Sequence, residues 1–309
     1  MKKQNLLFIT VAFLLVNFCM ANQCPDSMTV RAYDGHRMVW QRAVPLRGPQ
    51  GMSDIWVFEQ AGKLGIADKN GRIITPTYYD DIYPNPDNMP FVYKRDSLFG
   101  YIDIRTGQEI TPPMFKLAGT FHENRAIISI DGKKMGYIDT TGQIVISPHW
   151  DLVSDFYQGI AKVVQAADLT SLAVFEIPHN VQIPTPGKTA LIDRNGNYIV
   201  PPDYSYIDIN SDQPYLRFTR GLYNSEESSN PDFRKVYPKG KWGLMDLKGC
   251  IILSDTEYDY IFPLWKNGIC YYGVEKDGRY GVLAPQTLTL IVPLGNASSD
   301  DDLLARIID

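Results

Sequence analysis

Acidic residues recur along the chain at positions where they could bind a metal ion. Five of them each begin a short turn that ends in glycine. The pairs are Asp68 and Gly71, Asp103 and Gly107, Asp139 and Gly142, Asp193 and Gly196, and Asp246 and Gly249. Acids at one repeated position could ligate calcium along an edge. Four of the five turns contain Lys or Arg and none contains a second acid, so we expect the aspartates to cap turns and the glycines to supply positive φ.

A second acidic set could hydrolyse a glycan if two of its carboxylates faced each other across a cleft. Its members are Asp80, Asp81, Asp151, Asp155 and Asp259. Equivalent positions of a repeat are distributed through a structure rather than converging on one point. A solvated or turn role is therefore the favoured interpretation of this set.

Histidines and sequence motifs give no sign of catalysis. His36, His122, His149 and His179 lack metal-ligand spacing, and none stands beside a serine or cysteine. The P-loop, G-x-S-x-G and dinucleotide-binding motifs are missing. The sequence therefore predicts no catalytic residue, no metal ligand, no cofactor and no enzymatic activity. A formal charge of -5 and a pI near 5.4 also argue against a nucleic-acid partner, which needs a basic face.

The first residues have the layout of a secretory signal peptide. Lys2 and Lys3 precede an apolar run over 6–16, and small residues at Cys19 and Ala21 suggest cleavage before Asn22. A membrane anchor is the alternative, but no stop-transfer charges follow. We expect residues 1–21 to be removed and the mature chain to be periplasmic or secreted, without a stable membrane anchor.

Three cysteines follow the predicted cleavage site, so at most one disulfide can form. Cys250 follows a turn glycine and is expected to be exposed, whereas Cys270 lies in an apolar strand and is expected in the core. The sequence does not decide whether Cys24 and Cys250 form a disulfide.

One phrase recurs through most of the chain: a bulky residue, Gly, aliphatic residues, Asp, a glycine turn, and an aliphatic run often ending in Pro. Its six copies are anchored at Gly65, Gly100, Gly136, Ala190, Gly243 and Gly281. The anchors lie 35 to 38 residues apart except on either side of Ala190, where insertions widen the spacing to 54 and 53. β-Branched and aromatic runs bounded by turn residues predict strands, about three in each unit.

The phrase from Gly240 to Gly249 resembles the motif of the WG-repeat (KWG-repeat) family, and residues 132–163 resemble a whole unit. The resemblance covers about 61–294. It departs at Ala190, which replaces the motif glycine, and at Ala284, which replaces the motif aspartate. The resemblance implies an all-β repeat domain, often exported by bacteria, and implies no common catalytic activity.

We expect an all-β array of six units over 54–294, with propeller-like closure favoured and a stacked curved sheet as the alternative. Residues 22–53 are expected to be an irregular or capping segment. Insertions are expected near 165–188 and 210–238, and residues 295–309 form an acidic tail with a short helix. Repeat-position tryptophans, including Trp265, are expected in the core.

Long loops on a rigid scaffold commonly carry binding, so the second insertion and its flanks are the candidate contact surface. The residues chosen there are Arg217, Arg220, Tyr223, Phe233 and Arg234, and disorder around 226–230 is the competing interpretation of this insertion. The leading function is non-catalytic binding of a protein or a cell-envelope glycan or other polymer outside the cytoplasm. An exported glycan hydrolase or lyase is the first alternative, and a structural envelope component is the second.

Overall fold

The computed structural model describes residues 28–33, 38–48, 51–68, 70–83, 85, 89–165, 187–209, 213–221, 240–297 and 299–307. Side chains are described from Ile55 onward. These residues form 25 strands and one short helix. The predicted all-β class is therefore confirmed.

The strands form six antiparallel sheets in which each strand pairs with the next along the chain. Sheet 1 contains β1 (Met28–Tyr33), β2 (Met38–Gly48), β3 (Gly51–Gln60), β4 (Lys63–Asp68) and β5 (Ile73–Tyr79). Sheet 2 contains β6 (Asp81–Tyr83), β7 (Phe91–Arg95), β8 (Leu98–Asp103) and β9 (Gln108–Phe115). Sheet 3 contains β10 (Leu117–His122), β11 (Arg125–Ser129), β12 (Met135–Asp139) and β13 (Ile144–Trp150).

The remaining sheets follow the same order. Sheet 4 contains β14 (Leu152–Val153), β15 (Ile160–Gln165), β16 (Lys188–Asp193) and β17 (Tyr198–Tyr204). Sheet 5 contains β18 (Tyr206–Asp208), β19 (Leu216–Thr219), β20 (Trp242–Met245) and β21 (Ile251–Tyr258). Sheet 6 contains β22 (Tyr260–Lys266), β23 (Ile269–Lys276), β24 (Arg279–Leu283) and β25 (Leu290–Gly295), and the helix α1 (Asp300–Ala305) follows it.

The six-unit array is confirmed, but sheets 2 to 6 each have four strands rather than the expected three. The extra strand follows each aliphatic run and forms the first strand of the next sheet, as β18 and β22 do. Each repeat phrase begins on the next-to-last strand of one sheet, and in the first five copies the unit continues into the first two strands of the next sheet. The sequence unit and the sheet are therefore offset by half a sheet. The favoured propeller-like closure and the stacked alternative stay predictions.

The segment 22–53 was expected to be irregular or capping, and its described part is not irregular, while the capping role stays a prediction. It contains β1, β2 and the start of β3, which make sheet 1 five-stranded. The alternation of Met28, Val30 and Ala32 with polar Thr29 and Arg31 is typical of a strand. The alternation was not recognised as a strand because this segment lacks the repeat phrase. The predicted signal peptide, residues 1–21, lies outside the described residues.

A register shift occurs between the last two strands of every sheet, at the anchor residue of the repeat. The bulged last strand approaches the anchor closely. A Cβ built on Gly136 would lie 2.3 Å from the Ile146 carbonyl oxygen. The motif glycine is therefore required by this close approach of two backbones.

The chain forms two compact units, Met1–Phe121 with Thr140–Gly142, and His122–Asp139 with Gln143–Asp309. In the first, a core cluster contains Ile66, Tyr79, Tyr93 and Ile102. In the second, one cluster surrounds Trp242 and another surrounds Phe218. Large aromatic side chains thus fill the spaces between successive sheets.

The acidic tail packs on sheet 6. Ser299 caps α1 by accepting a hydrogen bond from the Asp302 backbone N–H, and acids occupy the first turn, as a helix N-terminus favours. Leu303 and Ile307 are buried against Leu264 and Val282. The core placement expected for Trp265 was wrong, because this side chain lies at the end of a longer first strand and is 44% exposed. Among the described residues, helical segments with the length and hydropathy of a transmembrane span are absent.

Candidate binding site

The repeated aspartates hold their turns through side-chain hydrogen bonds. Asp68 Oδ1 accepts from the backbone N–H groups of Asn70 and Arg72, at 2.9 and 3.0 Å. Asp103, Asp139, Asp193 and Asp246 accept from equivalent backbone N–H groups two or four residues later. The hydrogen bond from the Arg72 backbone, above all, lowers the pKa of Asp68. These carboxylates are therefore engaged locally.

The turn glycines, Gly71, Gly107, Gly142, Gly196 and Gly249, all have positive φ. Gly249 also packs on the preceding sheet, since a Cβ there would lie 2.7 Å from Val200 Cγ2. The turn of sheet 5 thus contacts the fourth strand of sheet 4. A glycine at this point serves both the turn and the packing.

Three acids of the second set form ion pairs with the lysine that precedes the motif. Lys63 Nζ lies 2.5 Å from Asp80 Oδ1, and the pairs of Lys134 with Asp151 and Lys241 with Asp259 measure 2.5 and 2.6 Å. The Lys241 ammonium lowers the pKa of Asp259, and Lys63 acts likewise on Asp80. Each acid therefore has its own lysine partner in the repeat.

The other two acids of that set lie in different surroundings. Asp81 Oδ1 accepts from the Ile82 backbone N–H. Asp155 lies 3.5 Å from His122 Nε2 and is almost buried. Within the described ranges, no group of three or more His, Cys, Asp or Glu residues could hold a metal ion.

Both insertions are rooted at the same place in two neighbouring sheets. In sheets 2 and 6, the second and third strands are joined by two-residue turns, Asp96-Ser97 and Asp277-Gly278, with positive φ. In sheet 4 the equivalent connection runs from Gln165 to Lys188, and in sheet 5 it runs from Thr219 to Trp242. The two long connections therefore leave from the same edge of adjacent sheets.

The root of the second insertion is closed by short contacts. A Cβ on Gly240 would lie 2.5 Å from Gly221 Cα, so the chain leaves and returns at one point. Thr219 Oγ1 accepts from the Gly221 N–H and donates to the Lys241 carbonyl oxygen at 2.8 Å. A rigid scaffold thus holds both ends of this loop.

Arg220, one of the predicted contact residues, lies at this root. Its guanidinium donates to Asp255 Oδ1 at 2.6 Å and to the Tyr204 hydroxyl at 2.9 Å, and it lies 4.4 Å from the centre of the Tyr204 ring. The side chain is 41% exposed. Tyr223, Phe233 and Arg234 lie outside the described residues.

Arg217, also predicted as a contact residue, is buried instead and lies 5% exposed. It is directly opposite Asp208 in the β18–β19 pair, and its guanidinium Nη2 donates to Asp208 Oδ2. Nη1 donates to the Ile261 carbonyl oxygen of sheet 6 at 2.8 Å. The expectation placed Arg217 on a surface because the strand was not recognised as buried on both faces.

Lys162 of sheet 4 is a second buried cation facing this pair. Its ammonium lies 5.3 Å from the centre of the Tyr206 ring. Burial lowers the pKa of Lys162 to about 8, while the negative charge of Asp208 opposes that change. The buried charges of Lys162, Asp208 and Arg217 therefore extend from sheet 4 to sheet 5, and Arg217 extends the contacts to sheet 6.

The repeat itself contains a signal for this cluster that the motif analysis missed. Lys162 and Arg217 each lie opposite the residue that follows the anchor of their copy. In the other four copies this place is taken by Val57, Val92, Ile127 and Gly273. Aligning the copies strand by strand would have revealed the two cations.

The cysteines of the described part occupy the expected places. Cys250 is exposed and Cys270 is buried, and neither forms a disulfide with another described residue. Burial raises the pKa of Cys270 to about 11, which disfavours its thiolate at neutral pH. Cys24 lies outside the described residues, so its pairing with Cys250 stays open.

Comparison with known proteins identifies the repeat. The family model described as "WG containing repeat" matches residues 65–96, 99–133, 135–166, 191–215 and 242–280. Each match begins on the next-to-last strand of a sheet, and the copy anchored at Gly281 is not matched. None of the curated proteins compared with the chain matches it.

Solved structures share only a distant likeness with this chain. Dihydro-heme d1 dehydrogenase NirN in complex with DHE is 14% identical, with a TM-score of 0.32, and the match covers 84% of this chain and 60% of NirN. BamB from Moraxella catarrhalis is 13% identical, with a TM-score of 0.31 and coverage of 89% and 86%. Kluyveromyces lactis Hsv2p is 10% identical, with a TM-score of 0.32 and coverage of 74% and 70%. At these values no activity is transferred to this chain.

Proposed function

The chain belongs to the WG-repeat family, and from that premise we propose that it is a non-catalytic binding protein that acts outside the cytoplasm. Its partner is a protein or a polymer of the cell envelope. The two insertions form the contact region, with Arg220 at the base of the second. The observation that carries this proposal is their origin at one equivalent connection of adjacent sheets.

A regular scaffold with two exceptional loops is a common arrangement for recognition. Four sheets keep a shorter connection at this edge, so the scaffold itself does not need the long ones. Loops that leave adjacent sheets at one edge can contact the same partner. The ordered root at Thr219, Gly221 and Gly240 limits the entropy that the second loop loses on binding.

The ion pairs and hydrogen bonds of the acidic residues also favour binding over hydrolysis. A glycan hydrolase uses two carboxylates on either side of the scissile bond. Asp80, Asp151 and Asp259 instead pair with separate lysines, and the turn aspartates accept backbone hydrogen bonds. The signal-peptide layout of residues 1–21 supports export.

Loop replacement tests the proposal. In one variant, residues 222–239 are replaced by the Asp-Gly turn of sheet 6, and in a matched control the same residues are scrambled at constant length. Binding to isolated envelope material is measured before and after protease treatment of that material. We expect both variants to keep the wild-type melting temperature and to lose retention. Protease sensitivity then identifies a protein partner, and resistance identifies a polymer.

Equal retention of the wild-type chain and both folded variants would contradict a role for the second insertion. Export is tested by fractionating cells that produce the full chain and by sequencing the mature N-terminus. We expect the mature chain to begin at Asn22 in the exported fraction. Recovery of the uncleaved chain in the cytoplasm would contradict export.

A further inference from the structure

We propose that the outer edge of β21 binds an extended polypeptide segment of the partner, which adds to sheet 5 as a further strand. This inference rests on the proposed function, because it assigns the partner to the proteins rather than to the polymers of the envelope. It also places a contact beside the second insertion, on the strand that ends sheet 5.

β21 ends its sheet and pairs on one side. Its inner edge pairs with β20, and no described strand pairs with its outer edge. The Asp246 backbone N–H donates to the Cys250 carbonyl oxygen at 2.9 Å, so Cys250 turns toward β20. Because successive residues of a strand turn their N–H and C=O groups to opposite edges, Ile251 turns its own groups outward. The outer edge therefore offers backbone donors and acceptors to another chain.

The last strands of the other sheets contain proline, and β21 does not. In sheets 1, 2, 4 and 6 the proline has one equivalent position, and in sheet 3 it comes one residue later. These residues are Pro76, Pro112, Pro201, Pro293 and Pro148. Ser254 takes the common position in β21. Since proline has no N–H and hinders the addition of a strand, sheet 5 lacks a protection that the other sheets have.

The start of β21 also exposes aliphatic side chains. Ile251 and Ile252 are 46% and 47% exposed. Ile110 has the place of Ile252 in sheet 2, and a Cβ on the turn glycine of the next sheet, Gly142, would lie 2.9 Å from Ile110 Cγ2. The corresponding turn of sheet 6, residues 284–289, contains no glycine. The two isoleucines thus provide an apolar contact for the side chains of an added segment.

The acids of β21 are balanced within the chain. Acidic side chains on an edge strand would repel many added strands. Arg220 donates to Asp255 Oδ1 at 2.6 Å, and Lys276 Nζ lies 3.3 Å from Glu257 Oε1. These ion pairs reduce the charge that an added strand would meet.

The pair of Arg220 and Asp255 also connects the edge to the proposed contact region. Arg220 lies at the root of the second insertion, and Asp255 lies on β21. A partner that contacts the insertion therefore reaches the edge without crossing another sheet. Backbone N–H and C=O groups in the spacing of a strand are matched by another extended polypeptide, which is why the occupant we assign is a protein segment.

Ser254→Pro tests the edge, because it introduces the residue found at the equivalent position of four other sheets. Ser254→Thr is the matched control and keeps the backbone N–H. Retention of the wild-type mature chain and of both variants is measured on isolated envelope material, before and after protease treatment of that material. We expect Ser254→Pro to reduce retention at least about tenfold, Ser254→Thr to leave it unchanged, and protease to abolish it. All three chains should keep the same melting temperature.

Hydrogen exchange of the retained wild-type chain locates the contact. Backbone amides of residues 251–257 should exchange at least about tenfold more slowly in the complex than in the free chain, because an added strand accepts hydrogen bonds from this edge. Unchanged exchange there, retention that survives protease, or equal retention of Ser254→Pro and the wild type would overturn the proposal. If only the variant with 222–239 replaced loses retention, the proposed function holds and the edge is excluded.

Sedimentation equilibrium of the purified chains distinguishes a second copy from a partner segment. We expect the wild type and Ser254→Pro to have the same mass in solution. A dimeric wild type and a monomeric Ser254→Pro variant would show that the edge pairs with a second copy, and would overturn the assigned occupant.

Discussion

Gly243 lies directly opposite Phe218 on the neighbouring strand, and a Cβ built on Gly243 would lie 2.6 Å from Phe218 Cζ. Gly65 and Gly100 have the same relation to Phe58 and Tyr93. The copy with Ala190 at the anchor has the smaller Val163 opposite it. In the copies anchored at Gly65, Gly100 and Gly243, the anchor glycine makes room for an aromatic ring. Gly136 and Gly281 lie opposite Ile128 and Val274 and have no ring to accommodate, so there the close approach of the last strand is the remaining constraint.

Replacement of the anchor glycine is therefore expected to destabilise the fold. The Gly243→Ala methyl group would also lie 2.5 Å from the Leu253 carbonyl oxygen, and we expect a loss of about 1–3 kcal/mol in the free energy of unfolding. Gly295→Ala is the matched control, because its Cβ would meet no atom closer than 3.9 Å. Urea unfolding checks both, and equal effects would contradict the packing argument.

The buried pair of Asp208 and Arg217 should behave as one unit. Arg217→Met leaves a buried carboxylate without its partner, and we expect it to cost about 3–5 kcal/mol of unfolding free energy. The double variant Asp208→Ser with Arg217→Val uses residues found at equivalent places of the repeat, Ser154 and Val92. This double variant should regain most of the unfolding free energy that Arg217→Met loses. A double variant no more stable than Arg217→Met would show that the pair is not the cause.

Lys162 should give the stability a distinctive dependence on alkaline pH. Its pKa is lowered by burial to about 8, from an ordinary value of 10.5. Between these pH values the unfolded chain binds the proton more strongly, so this group makes stability rise with pH. Over this pH range the urea midpoint of the wild type should rise more steeply with pH than that of Lys162→Val. Parallel curves would contradict the depressed pKa.

The pair of Lys241 and Asp259 should act at acidic pH. The Lys241 ammonium lowers the pKa of Asp259 below its ordinary value of 3.8. The resulting stability is fully present above that value and is lost as the pH falls through the folded-state pKa. Asp259→Asn should reduce this acid-dependent loss of urea stability, whereas substitution of the exposed Asp300 should not. An unchanged acid profile in Asp259→Asn would contradict the pair's contribution.

Much of this organisation could be predicted because the repeat combines local signals. The Asp and Gly of each turn specify its conformation, and the phrase around each anchor identified all six copies. The strand that follows each aliphatic run was harder to recognise, because β14 has only two residues and β18 has three. Such short strands depend on pairing with the next strand rather than on their own propensity.

The candidate sites were predictable only in part. Length and spacing located the insertions, because the extra residues interrupt a regular period. The inward placement of Arg217 depends on β19 being covered on both faces, which a short sequence window does not contain. The core placement predicted for Trp265 was wrong for the opposite reason. The end of β22 that carries this residue extends beyond the covered part of sheet 6, so the side chain is exposed.

Site-specific photo-cross-linking in producing cells tests the binding role of the insertions most directly. The cross-linker is placed at Lys188, the end of the first insertion, and at Arg279, the equivalent exposed residue after the two-residue turn of sheet 6. The proposed contact region predicts one discrete cross-linked envelope component from position 188 and none from position 279. Equal cross-linking from both positions, or cross-linking from position 279 alone, would contradict the claim that the insertions carry the binding.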